Sequence, residues 1–279
     1  MEIDTRHLSP INGKNSENRD HTENTEDINT IKPADGSMPT ETQSRTSAPA
    51  NPDASRDPMS EIFESNAKSL PVLVNRFHPS AESAADTESR LAPVNSRPGI
   101  QALDPGIRLD RICLEQLDAL LEAVSGKDGI VVVSGYRDLA EQTEIYADSL
   151  QENGPEYTAK FVALPGCSEH HTGLAVDVGS AAGGLDFIAP EFPDDGVCGA
   201  FKSKAAKFGF VQRYKAHKEH LTGISCEPWH FRYVGAAHAE KIEELDLCLE
   251  EYVEWLRQTD GSAGQADGFV GKEEARHGN

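Results

Sequence analysis

A chain of 279 residues with 26 Lys and Arg against 47 Asp and Glu carries a formal charge of −21, which argues against nucleic acid or an anionic membrane as its partner. That length holds one large domain or two small ones, and 37% hydrophobic with 6% aromatic residues averages a polar part with a globular one. The five cysteines (Cys113, Cys167, Cys198, Cys226 and Cys248) are odd in number and form no CxxC pair, so they read as reduced thiols rather than a disulfide framework.

Residues 1–69 are rich in Ser, Thr, Asn, Asp, Glu and Pro, with almost no spaced apolar positions. Such a segment buries too little surface to offset its ordering entropy, so a disordered acidic and polar tail is expected there. Its first thirty residues hold no apolar stretch of the export-signal kind. The longest apolar runs, such as Ile130–Val133, are far too short to span a bilayer. A cytoplasmic location is the expectation.

The globular part is expected over 70–257. Pro71–Asn75 reads as a short strand or extended arm, and Pro79–Pro98 as a loop. Between Arg108 and Val124, the residues Ile112, Leu114, Leu117, Leu120, Leu121 and Val124 recur near helical spacing, and Ser125-Gly126 ends the run. Ile130–Val133 is a β-branched strand. Asp138 caps a following helix that carries Leu139, Gln142, Ile145, Tyr146 and Leu150, and Tyr157–Val162 adds a helical turn. Strands are predicted over Gly173–Val178, Gly209–Tyr214 and His230–Val234, with a short helix at Lys202–Phe208 and a closing amphipathic helix at Ala239–Leu256. Residues 258–279 read as a second flexible tail. The class is α+β, a small and mostly antiparallel sheet flanked by helices.

Two stretches carry chemistry: Ser168-Glu169-His170-His171-Thr172-Gly173-Leu174-Ala175-Val176-Asp177 and Glu227-Pro228-Trp229-His230. Together they offer two imidazoles and a carboxylate for one metal, and a second carboxylate to serve as base, which is the inventory of a catalytic zinc site. A lone histidine is more often a core or surface residue than a ligand, so the spacing must carry the case. A strand entered after Gly173 points Asp177 away from Leu174 and Val176. A carboxylate flanked by valines is rarely left unpaired. In a regular strand Glu227 and His230 face opposite ways, so Glu227 is expected in a loop before the strand, where Pro228 marks an irregularity. Arg137, ending Ser134-Gly135-Tyr136-Arg137, suits a fixed fork for either a substrate's carboxylate or a structural partner's.

In that order, Ser-Gly-Tyr-Arg, Ser-x-His-x-x-Gly-x-Ala-x-Asp and Glu-Pro-Trp-His-Phe-Arg-Tyr-Val-Gly resemble the zinc D,D-peptidases of the VanY and VanXY type, D-Ala-D-Ala carboxypeptidases and dipeptidases associated with vancomycin resistance. Phe161–His170 and Thr222–Glu227 strengthen the likeness, which covers roughly residues 70–257. The resemblance implies the hedgehog-like zinc D,D-peptidase fold, with zinc (Zn2+) held by His170, Asp177 and His230 and with Glu227 as general acid and base. It implies Arg137 as an electrostatic partner for the substrate, and Ser168 and Gln142 as holders of the dipeptide end. His171 is a bystander on this view. The implied substrates are D-Ala-D-Ala and the muramyl pentapeptide precursor. Three rival readings are a same-fold peptidase cutting an L,D bond, a non-catalytic zinc-stabilised binding module, and an interaction protein acting through its acidic tail. Glu227 speaks against the binding module, since a purely structural metal site needs no base. Ser180–Asp195, with Gly183-Gly184 and Pro190, is the expected gate that sets substrate size.

Overall fold

The computed structural model describes residues 71–263. The expected tail over 1–69, and 264–279 of the second, lie outside the described residues. After an extended arm with an isolated Asn75–His78 bridge, the elements in order are α1 (Ala84–Arg90), β1 (Leu91–Pro93), β2 (Gln101–Ala102), β3 (Arg108–Asp110), α2 (Arg111–Ala123) and β4 (Ile130–Ser134). They continue with α3 (Leu139–Phe161), β5 (Ala175–Ser180), α4 (Gly196–Lys204), β6 (Phe210–Tyr214), α5 (Glu219–Thr222), β7 (Glu227–Tyr233), α6 (Ala236–Glu244) and α7 (Leu249–Ala263).

β2, β4, β5, β7 and β6 form one sheet in that order, with β2 parallel to β4 and the other pairs antiparallel. This is the α+β arrangement expected. β1 and β3 pair separately. α2 exists because its apolar residues share a face: Cys113, Leu114, Leu117, Leu120 and Leu121 are buried, and Asp110 caps the first turn by accepting from Ile112 N. That face meets Ile130, Val132, Val176, Val178, Phe201, Phe210 and Phe231 in the main core. Alternate residues turn the other way, so Val211 packs with Ala239, Ile242, Leu249, Tyr252 and Val253 of α6 and α7.

Several elements differ from expectation, among them β3, which takes Arg108–Asp110 from the start of the expected helix. The stretch expected as a loop to Pro98 contains α1, capped by Ser83, and β1. The short helix near Lys202 starts earlier, at Gly196, and gives way to a 3-10 turn over Ala205–Phe208. The single closing helix is two: α6 stops before Asp246, whose φ is 47°, and α7 runs on to Ala263. Leu247 N bonds back to Ile242 O at 3.0 Å, the wrap-around C-cap that a left-handed residue makes possible. Gly154, at φ 80°, likewise kinks α3 before its last turns.

Candidate active site

Asp177 on β5 and His230 on β7 are register partners across the antiparallel pair. Their neighbours Val176, Val178 and Phe231 turn into the main core, which leaves the carboxylate and the imidazole together on the opposite face. His170 comes from a 3-10 turn over Glu169–Thr172 that Ser168 caps and Gly173 ends. Gly173 has φ +69°, and a Cβ there would stand 2.7 Å from Leu91 Cδ2, so the turn delivers His170 only with glycine at its end.

His170 Nδ1 donates to Gly135 O at 2.6 Å, and its Nε2 lies 3.1 Å from Asp177 Oδ2. His230 Nδ1 lies 2.8 Å from Asp177 Oδ1, while its Nε2 faces Glu169 Oε2 at 3.4 Å. All three residues are buried, and one ligand atom from each lies within 4.8 Å of the others. Two imidazoles and a carboxylate, each imidazole held at its outer nitrogen by an oxygen acceptor, fit a four-coordinate divalent ion with one position left for water or substrate. His171 is not part of this set. Its Nδ1 donates to Arg137 O at 2.8 Å and its Nε2 accepts from Gly166 N at 3.1 Å, so backbone occupies both ring nitrogens.

Glu227 is the first residue of β7 rather than a loop residue, and its carboxylate lies 3.9 Å from His230 Nδ1. The register explains how residues three apart converge: Gln212 pairs with Phe231 and Tyr214 with Glu227, an irregularity in which β7 carries extra residues. Such a bulge breaks the two-residue alternation and re-aims Glu227 toward the ligands.

Burial sets the electrostatics. It pulls His170 down to about 4, helped by the Arg137 charge and opposed by Asp177, so this imidazole is neutral near pH 7. Burial also disfavours the charged form of His230, but the Asp177 and Glu169 carboxylates outweigh it and raise the group. Burial pushes the Glu227 carboxyl up to about 8, with His230 drawing it down and Asp177 pushing it further up. A carboxyl raised from 4.5 to about 8 binds more protons in the folded than in the unfolded chain between those values, so its contribution to stability is lost as pH rises through that window. Chelator-treated Glu227→Gln should therefore gain melting temperature relative to the parent on going from about pH 5 to about pH 8. Melting curves that keep the same spacing at both pH values would contradict this.

Arg137 donates through Nε to Ser134 Oγ and through Nη2 to Asp177 Oδ2, both at 2.8 Å, and lies over the Phe187 ring at 5.3 Å. Of the two partners the fork suits, the structural one is thus present, and it is the candidate metal ligand. Ser168 and Gln142 are buried and line the same cleft as Arg137, Glu227 and the ligands. Gln142 Nε2 donates to Ala163 O at 2.8 Å, while its Oε1, buried in the cleft wall, has no hydrogen-bond partner among the described residues. Phe187 and Ile188 bring the expected gate segment to the cleft. Sequence reasoning missed Glu169 and Tyr214, whose ring lies 5.0 Å from that of His230. Glu169 stands beside His170 in the motif, but nothing local marks a glutamate as buried.

An α+β sheet that presents two histidines, an aspartate and a nearby glutamate at a cleft defines a metal-dependent hydrolase. The family model described as VanY, D-alanyl-D-alanine carboxypeptidase, matches residues 106–236. The bifunctional D-Ala-D-Ala dipeptidase and carboxypeptidase VanXYC of Enterococcus gallinarum is 40% identical over 188 residues, 67% of this chain and 95% of that protein. The chain belongs to the VanY family of D-alanyl-D-alanine carboxypeptidases. Among solved structures it is similar to the vancomycin-resistance D,D-dipeptidase VanXYg in complex with a D-Ala-D-Ala phosphinate analogue (43% identity, TM-score 0.61, covering 69% of this chain and 73% of that one). It is also similar to the E175A mutant of the D,D-pentapeptidase VanY from a VanB-type cassette in complex with Zn(II) (32% identity, TM-score 0.53, 65% and 97% covered).

Proposed function

We propose that this chain is a zinc peptidase that hydrolyses the D-Ala-D-Ala bond of the free dipeptide and of peptidoglycan precursor pentapeptides. The observation that carries the reading is the convergence of His170, Asp177 and His230 on one buried point with the Glu227 carboxylate 3.9 Å from His230. His170, Asp177 and His230 would hold a zinc ion, which would supply Lewis acidity toward the scissile carbonyl and the attacking water. Glu227 accepts the proton of the attacking water and delivers it to the departing amine. A site with no serine nucleophile in this role forms no acyl-enzyme for a β-lactam to trap.

Gln142 Oε1 offers an unused acceptor to a substrate N–H, and the Ser168 hydroxyl adds a donor in the same cleft. The remaining N–H groups of the Arg137 fork serve the substrate carboxylate or the developing oxyanion. Arg137→Lys keeps the charge and loses the fork. Loss of one or two charge-assisted hydrogen bonds, about 1.5–3 kcal/mol, should lower kcat/KM by about 10- to 100-fold. Zinc-loaded Arg137→Lys with parental kinetics would leave Arg137 as a brace for Asp177 alone.

The region that carries this activity is 70–257, with flanking tails that the reading does not require. Among the described residues no helix is long and apolar enough to cross a membrane. Five unpaired thiols suit a reducing cytoplasm, the compartment we assign. The direct test is to incubate the purified chain with D-Ala-D-Ala, with a pentapeptide ending in it, and with a tetrapeptide ending in an L,D bond, and to measure released D-Ala. Release from the first two supports the reading. Release from the tetrapeptide alone would replace it with L,D specificity, and release from none would favour a binding module.

A further inference from the structure

Glu169 has no part in the mechanism above, yet its side chain is 0% exposed. It leaves the same turn that presents His170 and passes to the far side of His230, so one short turn supplies a ligand and grips the ring of a second. Its Oε2 lies 3.4 Å from His230 Nε2. Its Oε1 accepts from Arg213 Nε at 2.8 Å and stands 3.1 Å from Arg232 Nη1, a contact off the hydrogen-bond line that leaves this nitrogen without a hydrogen-bond partner among the described residues.

The two arginines are themselves anchored. Arg213 Nη1 and Nη2 donate to Glu250 at 2.9 and 2.6 Å, and Glu250 Oε1 accepts from Asn75 at 3.1 Å. Arg232 Nη2 donates to Val72 O at 2.8 Å. A buried ionic network of this size is weak evidence for stability, since apolar residues of similar volume commonly serve as well. It does give His230 a fixed acceptor behind the ring. A carboxylate that already faces two guanidinium groups has only acceptor oxygens to offer, so Nε2 keeps its proton and Nδ1, which lies 2.8 Å from Asp177 Oδ1, is the nitrogen left for a metal ion held with that carboxylate.

We propose that Glu169 is a positioning residue for the metal centre, fixing the tautomer and rotation of His230 so that Nδ1 is the ligating atom, with Arg213 and Arg232 in turn fixing Glu169. The inference rests on the zinc-site reading above. Its sequence signal is the residue before His170 in Ser168-Glu169-His170.

The test compares the full-length parent with Glu169→Gln, Glu169→Asp and Glu250→Gln by chelator competition for Zn(II) and by melting of the chelator-treated proteins. Glu169→Asp keeps the buried charge, so the arginines stay paired and the fold survives even where Glu169→Gln does not. Its shorter side chain cannot hold His230 as before. Zinc affinity should fall by about 10- to 100-fold in Glu169→Asp, with the Co(II)-substituted spectrum altered, whereas Glu250→Gln lowers metal-free stability and leaves zinc affinity close to the parent. Zinc affinity of Glu169→Asp within about threefold of the parent would overturn the inference, and so would an equal loss in Glu250→Gln. A parent that binds no zinc would overturn the zinc-site reading itself, a result distinguishable from either.

Discussion

Replacing Glu227 with Gln is expected to leave the fold and one bound zinc ion in place and to lower kcat by about 10²- to 10⁴-fold. Gln fills the same volume at the start of β7 and can neither accept the water's proton nor return one to the leaving amine. The carboxylate lies beside the ligands without being one of the three that converge, so metal content should not follow activity down. Burial raises Glu227 to about 8 in the metal-free site, and the positive charge of a zinc ion beside it favours the ionised carboxylate that accepts a proton. Zinc analysis and steady-state kinetics on the same preparation check the prediction. Turnover within a few-fold of the parent would remove Glu227 from the mechanism, and loss of zinc would make it a ligand.

Removing any ligand should abolish both zinc binding and hydrolysis. His170→Ala and His230→Ala each take away one of two imidazoles, and the two donors that remain fall short of the three protein ligands a catalytic zinc ordinarily has. For the carboxylate, Asp177→Asn is the cleaner change, because Ala would strand the Arg137 guanidinium that Asp177 accepts from at 2.8 Å in a buried site. His171→Ala is the control. It breaks backbone contacts at Gly166 and Arg137, a loss of about 1 kcal/mol for each hydrogen bond, and should keep zinc. Full activity in His170→Ala with loss in His171→Ala would mean that the neighbouring histidine is the ligand.

Much of the frame was legible because local pattern and tertiary role agree. Leu114, Leu117 and Leu121 recur at helical spacing and bury one face of α2, while Ile130–Val133 is β-branched and fully enclosed. The break between α6 and α7 was not legible, because apolar positions continue through Leu245 and Leu247 and the left-handed residue at the turn is Asp246 rather than glycine. α1 escaped for the opposite reason. Its only buried residue is Thr87, so it shows no apolar stripe. In the site, the motif spacing pointed to His170, Asp177, His230 and Glu227. How Glu227 and His230 converge was hidden, since it depends on a bulge against β6. The Glu169 network joins residues from five separate stretches between Val72 and Glu250. No single-sequence periodicity reports contacts of that range.

The most direct measurement is a zinc titration of chelator-treated protein, following D-Ala release from D-Ala-D-Ala at each addition. Activity should be absent without metal, rise linearly and break at one equivalent per chain, and the same titration of Glu227→Gln should bind one equivalent with little release. Release that is independent of zinc, or none at all from parent protein carrying a full equivalent, would contradict the assignment of this site as a zinc D,D-peptidase centre.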